Sequence, residues 1–273
     1  MAALRFALNH MVAPSLGLGE FFGLAASLGI AEVEIRNDLD GRPIRDGTPP
    51  EVVRDAAGRV GLAIISINAL QRFDDWSAAR EREARQLVRY AAGCGARALV
   101  LVPANDGSGV ADGERHPRLR AALRALEPIL AEQDILGLVE PLGFATCSLR
   151  SKREAVAAIE EIDGGRRFGL VHDTFHHALA GEPELYPALT ALIHTSGVTD
   201  SRAGLADLRD SHRGLVDAGD RLDAVSQIGA LVAGGYAGAI SFEPFAAEVH
   251  ALADPARAIR ASMDYLTTVT QKA

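Results

Sequence analysis

Only two cysteines, Cys94 and Cys147, occur in the 273 residues, and no Cys-x-x-Cys spacing links them. Two thiols make no disulfide framework, so a disulfide-stapled secreted scaffold is excluded. Two small buried or loop thiols are expected, a usage that suits a reducing cytosol. Positive charge is also short: 28 Lys and Arg stand against 36 Asp and Glu, for a formal net charge of −8. That balance argues against a non-specific hold on nucleic acid or on an anionic membrane, both of which want a basic face. No uninterrupted apolar run is long enough to span a bilayer. The start, Met-Ala-Ala-Leu-Arg-Phe, enters a strand pattern almost at once, so no secretory signal is visible and a cytoplasmic protein is expected. Gly-x-Gly-x-x-Gly is missing after the first apolar run, although Gly17 and Gly19 follow it. Linkers, low-complexity tracts and composition breaks are missing too, which predicts one domain over residues 1–273.

What is present is β-α alternation. Short apolar runs at Leu4–Leu8, Glu32–Ile35, Ala63–Ile67 and Ala98–Val102 read as buried strands. Four more follow at Ile135–Glu140, Phe168–Asp173, Leu192–His194 and Ala239–Glu243. Between most of them lie segments with apolar residues at helical spacing: Phe21–Leu28, Glu51–Val60, Ser77–Ala92, Arg118–Gln133, Arg153–Ile162, Ala224–Ala233 and Pro255–Thr268. Gly29, Gly61, Gly95 and Gly238 precede strands, where a helix stop is expected. Eight strands alternating with helices predict an α/β fold, a single-domain (β/α)8 TIM barrel of ordinary size. A doubly wound sheet is the alternative. The barrel is preferred because the count is eight, the dinucleotide fingerprint is missing, and polar residues recur at many strand ends instead of one crevice. The longest irregular stretches, Asn37–Pro49, Asn105–His116 and Thr199–Asp223, all follow strands, so a barrel puts them on its active rim.

The last four runs close on Glu140, Asp173, His194 and Glu243. Each alone has a bland explanation. Asp173 could cap a helix starting at Thr174, and His194 in an apolar run could be a satisfied core histidine. Glu140 and Glu243 each precede Pro and suit capping less well. A barrel brings all four ends around one axis, however. Three carboxylates and one imidazole there can hold one divalent metal ion, Mn, Mg, Co or Zn. His194 must be neutral to bind it. Such an ion would polarise a substrate carbonyl and stabilise an enediolate. Glu140 and Glu243, from well-separated strands, could remove a proton at one carbon and return it elsewhere.

At these residues the chain resembles the xylose isomerase-like TIM-barrel superfamily, and within it the inosose isomerase branch of inositol catabolism. Nearly the whole chain takes part. The matching pieces are Ala7-Leu-Asn9, Val33-Glu34-Ile-Arg36, Asn68-Ala-Leu70 and Val102-Pro103, then Gly169-Leu170-Val-His172-Asp173-Thr-Phe-His176, His194-Thr-Ser-Gly-Val198 and Ser241-Phe-Glu243. The resemblance implies Glu140, Asp173, His194 and Glu243 as metal ligands, with Glu140 and Glu243 as the acid/base pair. It also implies that His176 and Arg213 contact substrate. Members often carry Pro-Gly-x-Gly after that Arg, of which only Gly219 survives here. His212 is the alternative to Arg213, and a solvated loop is the alternative for both. Glu34 is a substrate-contact candidate or an ion-pair partner of Arg36 or Arg5; Asn68 is a contact or a turn residue. His10, His172 and His177 are structural by default. Phe73 and Trp76 either wall the pocket or simply pack.

The expected activity is a metal-dependent isomerase or epimerase of a small keto-polyol, an inosose first. A dehydratase of an inosose or dehydroshikimate type is the alternative on the same site. Nucleic-acid hydrolysis would need more ligands and a basic groove, and a sugar-binding barrel without chemistry would retain no metal. In the C-terminal helix, Ile259, Met263, Tyr265 and Leu266 most simply pack on the barrel; dimers are common among members, so a homodimer is admitted.

Overall fold

Residues two apart along a strand share a face, and this period builds the inside of a closed parallel barrel. The computed structural model describes residues 3–108 and 113–270. Its elements run β1 Arg5–Asn9, α1 Leu18–Ser27, β2 Glu32–Arg36, α2 Pro50–Arg59, β3 Ala63–Gln71, α3 Ala78–Cys94, β4 Ala98–Val102, α4 Arg115–Ala131 and β5 Leu136–Val139. They continue with α5 Lys152–Glu161, β6 Phe168–Asp173, α6 Thr174–Ala180, β7 Thr190–Thr195, α7 Ala224–Ala233, β8 Ala239–Phe242, α8 Ala247–His250 and α9 Pro255–Thr270. The strands pair in sequence order and β8 closes onto β1, all in parallel. This is a (β/α)8 TIM barrel, as the alternation predicted. Residues 109–112 of the Asn105–His116 loop, and the chain ends at 1–2 and 271–273, lie outside the described residues.

The two largest apolar clusters among the described residues hold the fold. The larger lies between the sheet and its helices, where Leu8, Phe21, Ile35, Leu99, Leu123, Ile240 and Phe242 are buried. The smaller fills the barrel interior with Ala7, Ile65, Ala98, Val100, Leu138, Val171, Leu192 and Ala239. Small alanines alternate there with branched residues, as a narrow parallel barrel requires. One step of two toward the C-terminal end, the same interior face turns polar: Ala7 is followed by Asn9, Leu138 by Glu140, Val171 by Asp173, Leu192 by His194, Ala239 by Ser241 and then Glu243.

Local chemistry sets the helix ends. Ser77 and Ser151 accept hydrogen bonds from the backbone N–H of Arg80 and Glu154, capping α3 and α5. Gly29, Gly61 and Gly95 stop the preceding helices with φ near +75° (+73°, +73° and +79°). Gly238 does not play that part; Gly235 has the positive φ, +98°, after α7, and Gly238 instead makes room for the Tyr236 ring. The short α6 and α8 escape the periodicity, being only 7 and 4 residues long. In α9, Ile259 and Leu266 are fully buried while Met263 and Tyr265 pack at the edge of the same core. Both cysteines are buried free thiols. Among the described residues no helix is long and apolar enough to cross a membrane.

Candidate metal centre

Glu140, Asp173, His194 and Glu243 meet at the C-terminal mouth of the barrel. One ligand atom from each lies within 4.8 Å of all the others, and every one of these residues is buried. The register explains it: Asp173 pairs with His194 and His194 with Ser241, so adjacent strands bring their last inward residues level. His194 Nδ1 lies 2.9 Å from Glu140 Oε1 and 3.3 Å from Glu243 Oε2. Asp173 divides its oxygens. Oδ1 accepts from the N–H of Phe175 (2.8 Å) and of His176 (3.0 Å), capping α6, while Oδ2 turns into the cluster. The capping explanation for Asp173 and its place in the cluster are therefore both true.

Beneath His194 sits Glu34, completely buried. Its carboxylate accepts from Ser66 Oγ at 2.5 Å, from Asn68 Nδ2 at 2.7 Å, from Asn9 Nδ2 at 3.4 Å and from Ser241 Oγ, and lies 3.1 Å from His194 Nε2. A carboxylate on one imidazole nitrogen fixes the tautomer and leaves the other nitrogen free for a metal. Here that leaves Nδ1, which faces Glu140 and Glu243. Neither Arg36 nor Arg5 pairs with Glu34. Arg5 joins Arg97 on Glu32 at the opposite mouth, and Arg36 reaches Asp38 and Glu243. Asn68 borders the cavity but gives its amide N–H to Glu34, tying the two substrate-contact candidates of β2 and β3 into support of the imidazole.

Two guanidiniums complete the cluster. Arg213 is 2% exposed, against the solvated-loop alternative; its Nη2 donates to Asp173 Oδ2 at 2.6 Å and to Glu243 Oε2 at 2.8 Å. His212 is half-buried and its ring engages the Arg209 backbone, so it does not replace Arg213. Arg36 Nη1 donates to Glu243 Oε1 at 2.7 Å. The Phe245 ring lies between them, 5.5 Å from the Arg36 guanidinium carbon and 4.5 Å from that of Arg213.

The electrostatics fit a divalent ion. Four buried carboxylates (Glu34, Glu140, Asp173, Glu243) face two buried guanidiniums (Arg36, Arg213), leaving two negative charges to balance. Burial alone would favour neutral His194, but the carboxylates of Glu243, Glu34 and Glu140 outweigh it and raise its pKa well above 6.5. A proton and a metal therefore compete for the same nitrogen. The two glutamates differ. Burial raises the Glu140 pKa, only partly opposed by His194. Burial acts the same way on Glu243, but His194, Arg213 and Arg36 overcome it and hold the carboxyl well below its usual range. Each carboxylate oxygen has two lone pairs, so Asp173 Oδ2 and Glu243 Oε2 can take a guanidinium N–H and an ion together.

Above the cluster opens a cavity of about 380 Å³. Glu140, His176, Arg213 and Glu243 line it with Asn68, Arg36, Asp38, Phe144 and Phe245. Loops after β2, β4 and β7 contribute Asp38, Asn105 and Asp210, as their position after strands predicted. His176 is 3% exposed and packs edge-on to Phe144, ring centroids 5.1 Å apart; burial, with Arg213 nearby, lowers its pKa despite Asp173. Phe73 is core and Trp76 packs against that core; the aromatic walls are Phe144 and Phe245, a few residues beyond Glu140 and Glu243. Gly143 permits the Phe144 turn, since a Cβ there would come 2.3 Å from the His176 carbonyl oxygen. Arg36, Asn9, Ser66 and Ser241 were not singled out from sequence as site residues. Their signals are the period-two step that puts polar residues on the interior face and, for Asn9, Arg36 and Ser241, a place within the matching family pieces. His10 stacks on Phe21, ring centroids 4.2 Å apart, and His172 accepts from Lys152 Nζ at 2.9 Å, both structural placements.

A family model described as xylose isomerase-like TIM barrel matches residues 22–269. No curated protein sequence matches the chain. Among solved structures, a xylose isomerase domain-containing protein from Salmonella typhimurium LT2 is 33% identical, with a TM-score of 0.89 over 99% of each chain. The IolI protein with a bound zinc atom is 19% identical, with a TM-score of 0.84 over 98% of this chain and 99% of that one. D-Allulose 3-epimerase from a Methylomonas species, in complex with D-allulose, is 19% identical, with a TM-score of 0.72 over 100% of this chain and 96% of that one.

Proposed function

The chain belongs to the xylose isomerase-like TIM-barrel family, and from that premise we propose that it is a metal-dependent isomerase or epimerase of a small keto-polyol, with an inosose as the first substrate to try. The observation that carries the proposal is the convergence of Glu140, Asp173, His194 and Glu243 within 4.8 Å, with His194 Nδ1 turned into the cluster by Glu34. These four residues would hold one divalent ion, Mn, Mg, Co or Zn. The ion, when bound, supplies the positive charge that steadies an enediolate.

The chain's own residues move the proton. Glu140, with the raised pKa, takes a proton from the carbon beside the substrate carbonyl. Glu243, anchored by Arg36, Asn9 and Arg213, serves as its partner across the cavity. A proton returns either to the other face of that carbon or to its neighbour, giving an epimer or an isomer with no net redox change. His176 and Arg213 orient substrate hydroxyls from the cavity wall. Glu34 and Asn68 act behind the wall, holding His194.

The test is solvent exchange. In D2O with Zn²⁺ or Mn²⁺, an inosose or D-allulose should exchange the hydrogen beside its carbonyl, followed by proton NMR. Glu140→Gln should slow that exchange at least about a hundredfold, as expected for loss of a positioned acid–base group. Undiminished exchange removes Glu140 from the mechanism. A conjugated-enone absorbance with loss of water would assign the dehydratase alternative instead.

A further inference from the structure

A second cleft, of about 550 Å³, adjoins the catalytic cavity and shares Asn105, Phe144 and Asp210 with it. Phe144 and Leu179 give it an apolar wall, and Arg150 and Arg209 line it. The arginines of the two compartments differ. In the catalytic cavity each is held by carboxylates: Arg36 by Asp38 and Glu243, Arg72 by Asp75 and Asp106, Arg213 by Asp173, Asp210 and Glu243. In the adjoining cleft Arg150 donates only to the carbonyls of Gly143 and Leu179, and Arg209 only to those of Ala206 and Leu208. Among the described residues, neither has a carboxylate within ion-pair distance. The one acid on this wall, Asp210, already accepts from Arg213 at 3.1 Å.

We infer that this cleft is an anion subsite, and that the preferred substrate is a keto-polyol carrying a terminal phosphate or carboxylate. The inference rests on the reading of the catalytic cavity as the keto-polyol site. The reacting end of the substrate stays in the polar cavity, whose cations are already neutralised. Its anionic end passes Phe144 and meets Arg209, whose Nε and Nη2 remain for planar, bidentate recognition of an oxyanion, and Arg150, whose Nη1 remains as a further charged donor. A protein of net charge −8 repels an anionic ligand in general, so two uncompensated cations beside the mouth supply local attraction.

Isothermal titration of the zinc-loaded full-length protein tests this with D-allulose, D-allulose 6-phosphate and 5-keto-D-gluconate. At least one of the two anionic ligands should bind at least tenfold more tightly than D-allulose; a larger gain for one assigns phosphate or carboxylate. The combined change Arg150→Gln and Arg209→Gln should reduce that gain to under twofold, with D-allulose affinity changed less than twofold. Arg209→Gln alone, at an exposed position, should lose at least threefold, which covers disturbance of the Gly143 loop by the double change. Equal affinities for all three ligands, or a gain that survives both variants, overturns the inference while leaving the catalytic reading intact. If no sugar binds, the catalytic reading fails, and inorganic phosphate decides the cleft. Phosphate binding that is lost in the double variant supports the subsite; no binding, or equal binding to the variant, overturns it.

Discussion

Replacing Glu34 with Gln should loosen the metal without unfolding the protein. The carboxylate touches neither solvent nor the cavity; it holds His194 Nε2 at 3.1 Å and thereby aims Nδ1 at Glu140 and Glu243. Gln has nearly the same shape, so the space under His194 stays filled. It cannot accept with both terminal atoms, however, and Ser66, Asn68, Ser241 and His194 all present donors there. Either the imidazole loses its acceptor or Asn68 does. Loss of such a supporting carboxylate costs roughly 10- to 100-fold in metal affinity, or about 1.4 to 2.7 kcal/mol. Competition for Zn²⁺ against a chromophoric chelator measures this directly, and far-UV circular dichroism checks that the variant is folded. A Glu34→Gln protein that is folded and keeps the parent affinity within twofold would refute the idea that Glu34 sets the imidazole.

Other outcomes follow from the same geometry. Asp173→Ala should destabilise the fold by about 1 kcal/mol through the lost α6 cap, and further by leaving buried Arg213 short of a partner, measurable by urea unfolding. Saturating divalent metal at a thousandfold over Kd should add about 4 kcal/mol of stability, so a chelator should lower Tm by several degrees in a thermal melt. Burial, against a hydrogen bond to the Leu16 carbonyl, lowers the His10 pKa from 6.5 to about 4. The unfolded chain therefore binds more protons between those values, and stability present above pH 6.5 is lost as pH falls toward 4, by about 3 kcal/mol. His10→Phe should flatten that part of the pH profile, and an unchanged slope removes His10 as its source. Gly143→Ala should cost roughly 1 to 3 kcal/mol, because its Cβ would overlap the His176 carbonyl.

The barrel and the four ligand candidates were legible because both arise from local alternation. A buried parallel strand needs an apolar run, and the run's last inward residue sits at the rim whatever its neighbours are. Leu138 to Glu140 and Leu192 to His194 show the step plainly. Helix starts at Ser77 and Ser151 and stops at Gly29, Gly61 and Gly95 are equally local. Gly238 misled because Gly235, three residues earlier, takes the left-handed conformation. Helix α6 was hidden by its length, though Asp173 marked its start.

Which long-range partner each polar group takes is a different kind of fact. Arg213 stands in an irregular stretch with no periodicity, and its place beside Asp173 and Glu243 depends on a backbone bridge between Gly214 and Gly197. Arg36 and Glu34 lie on the same strand two residues apart, yet one reaches Glu243 and the other His194, across sequence separations of 207 and 160. The amino-acid order alone determined the alternation of strands and helices, and with it which carboxylates and imidazole end on the rim, because period and turn chemistry act over a few residues. Only barrel closure decided that Glu34 orients His194, that two guanidiniums grip Glu243, and that two arginines with no carboxylate partner among the described residues face a neighbouring cleft, because strand register and loop return set those distances.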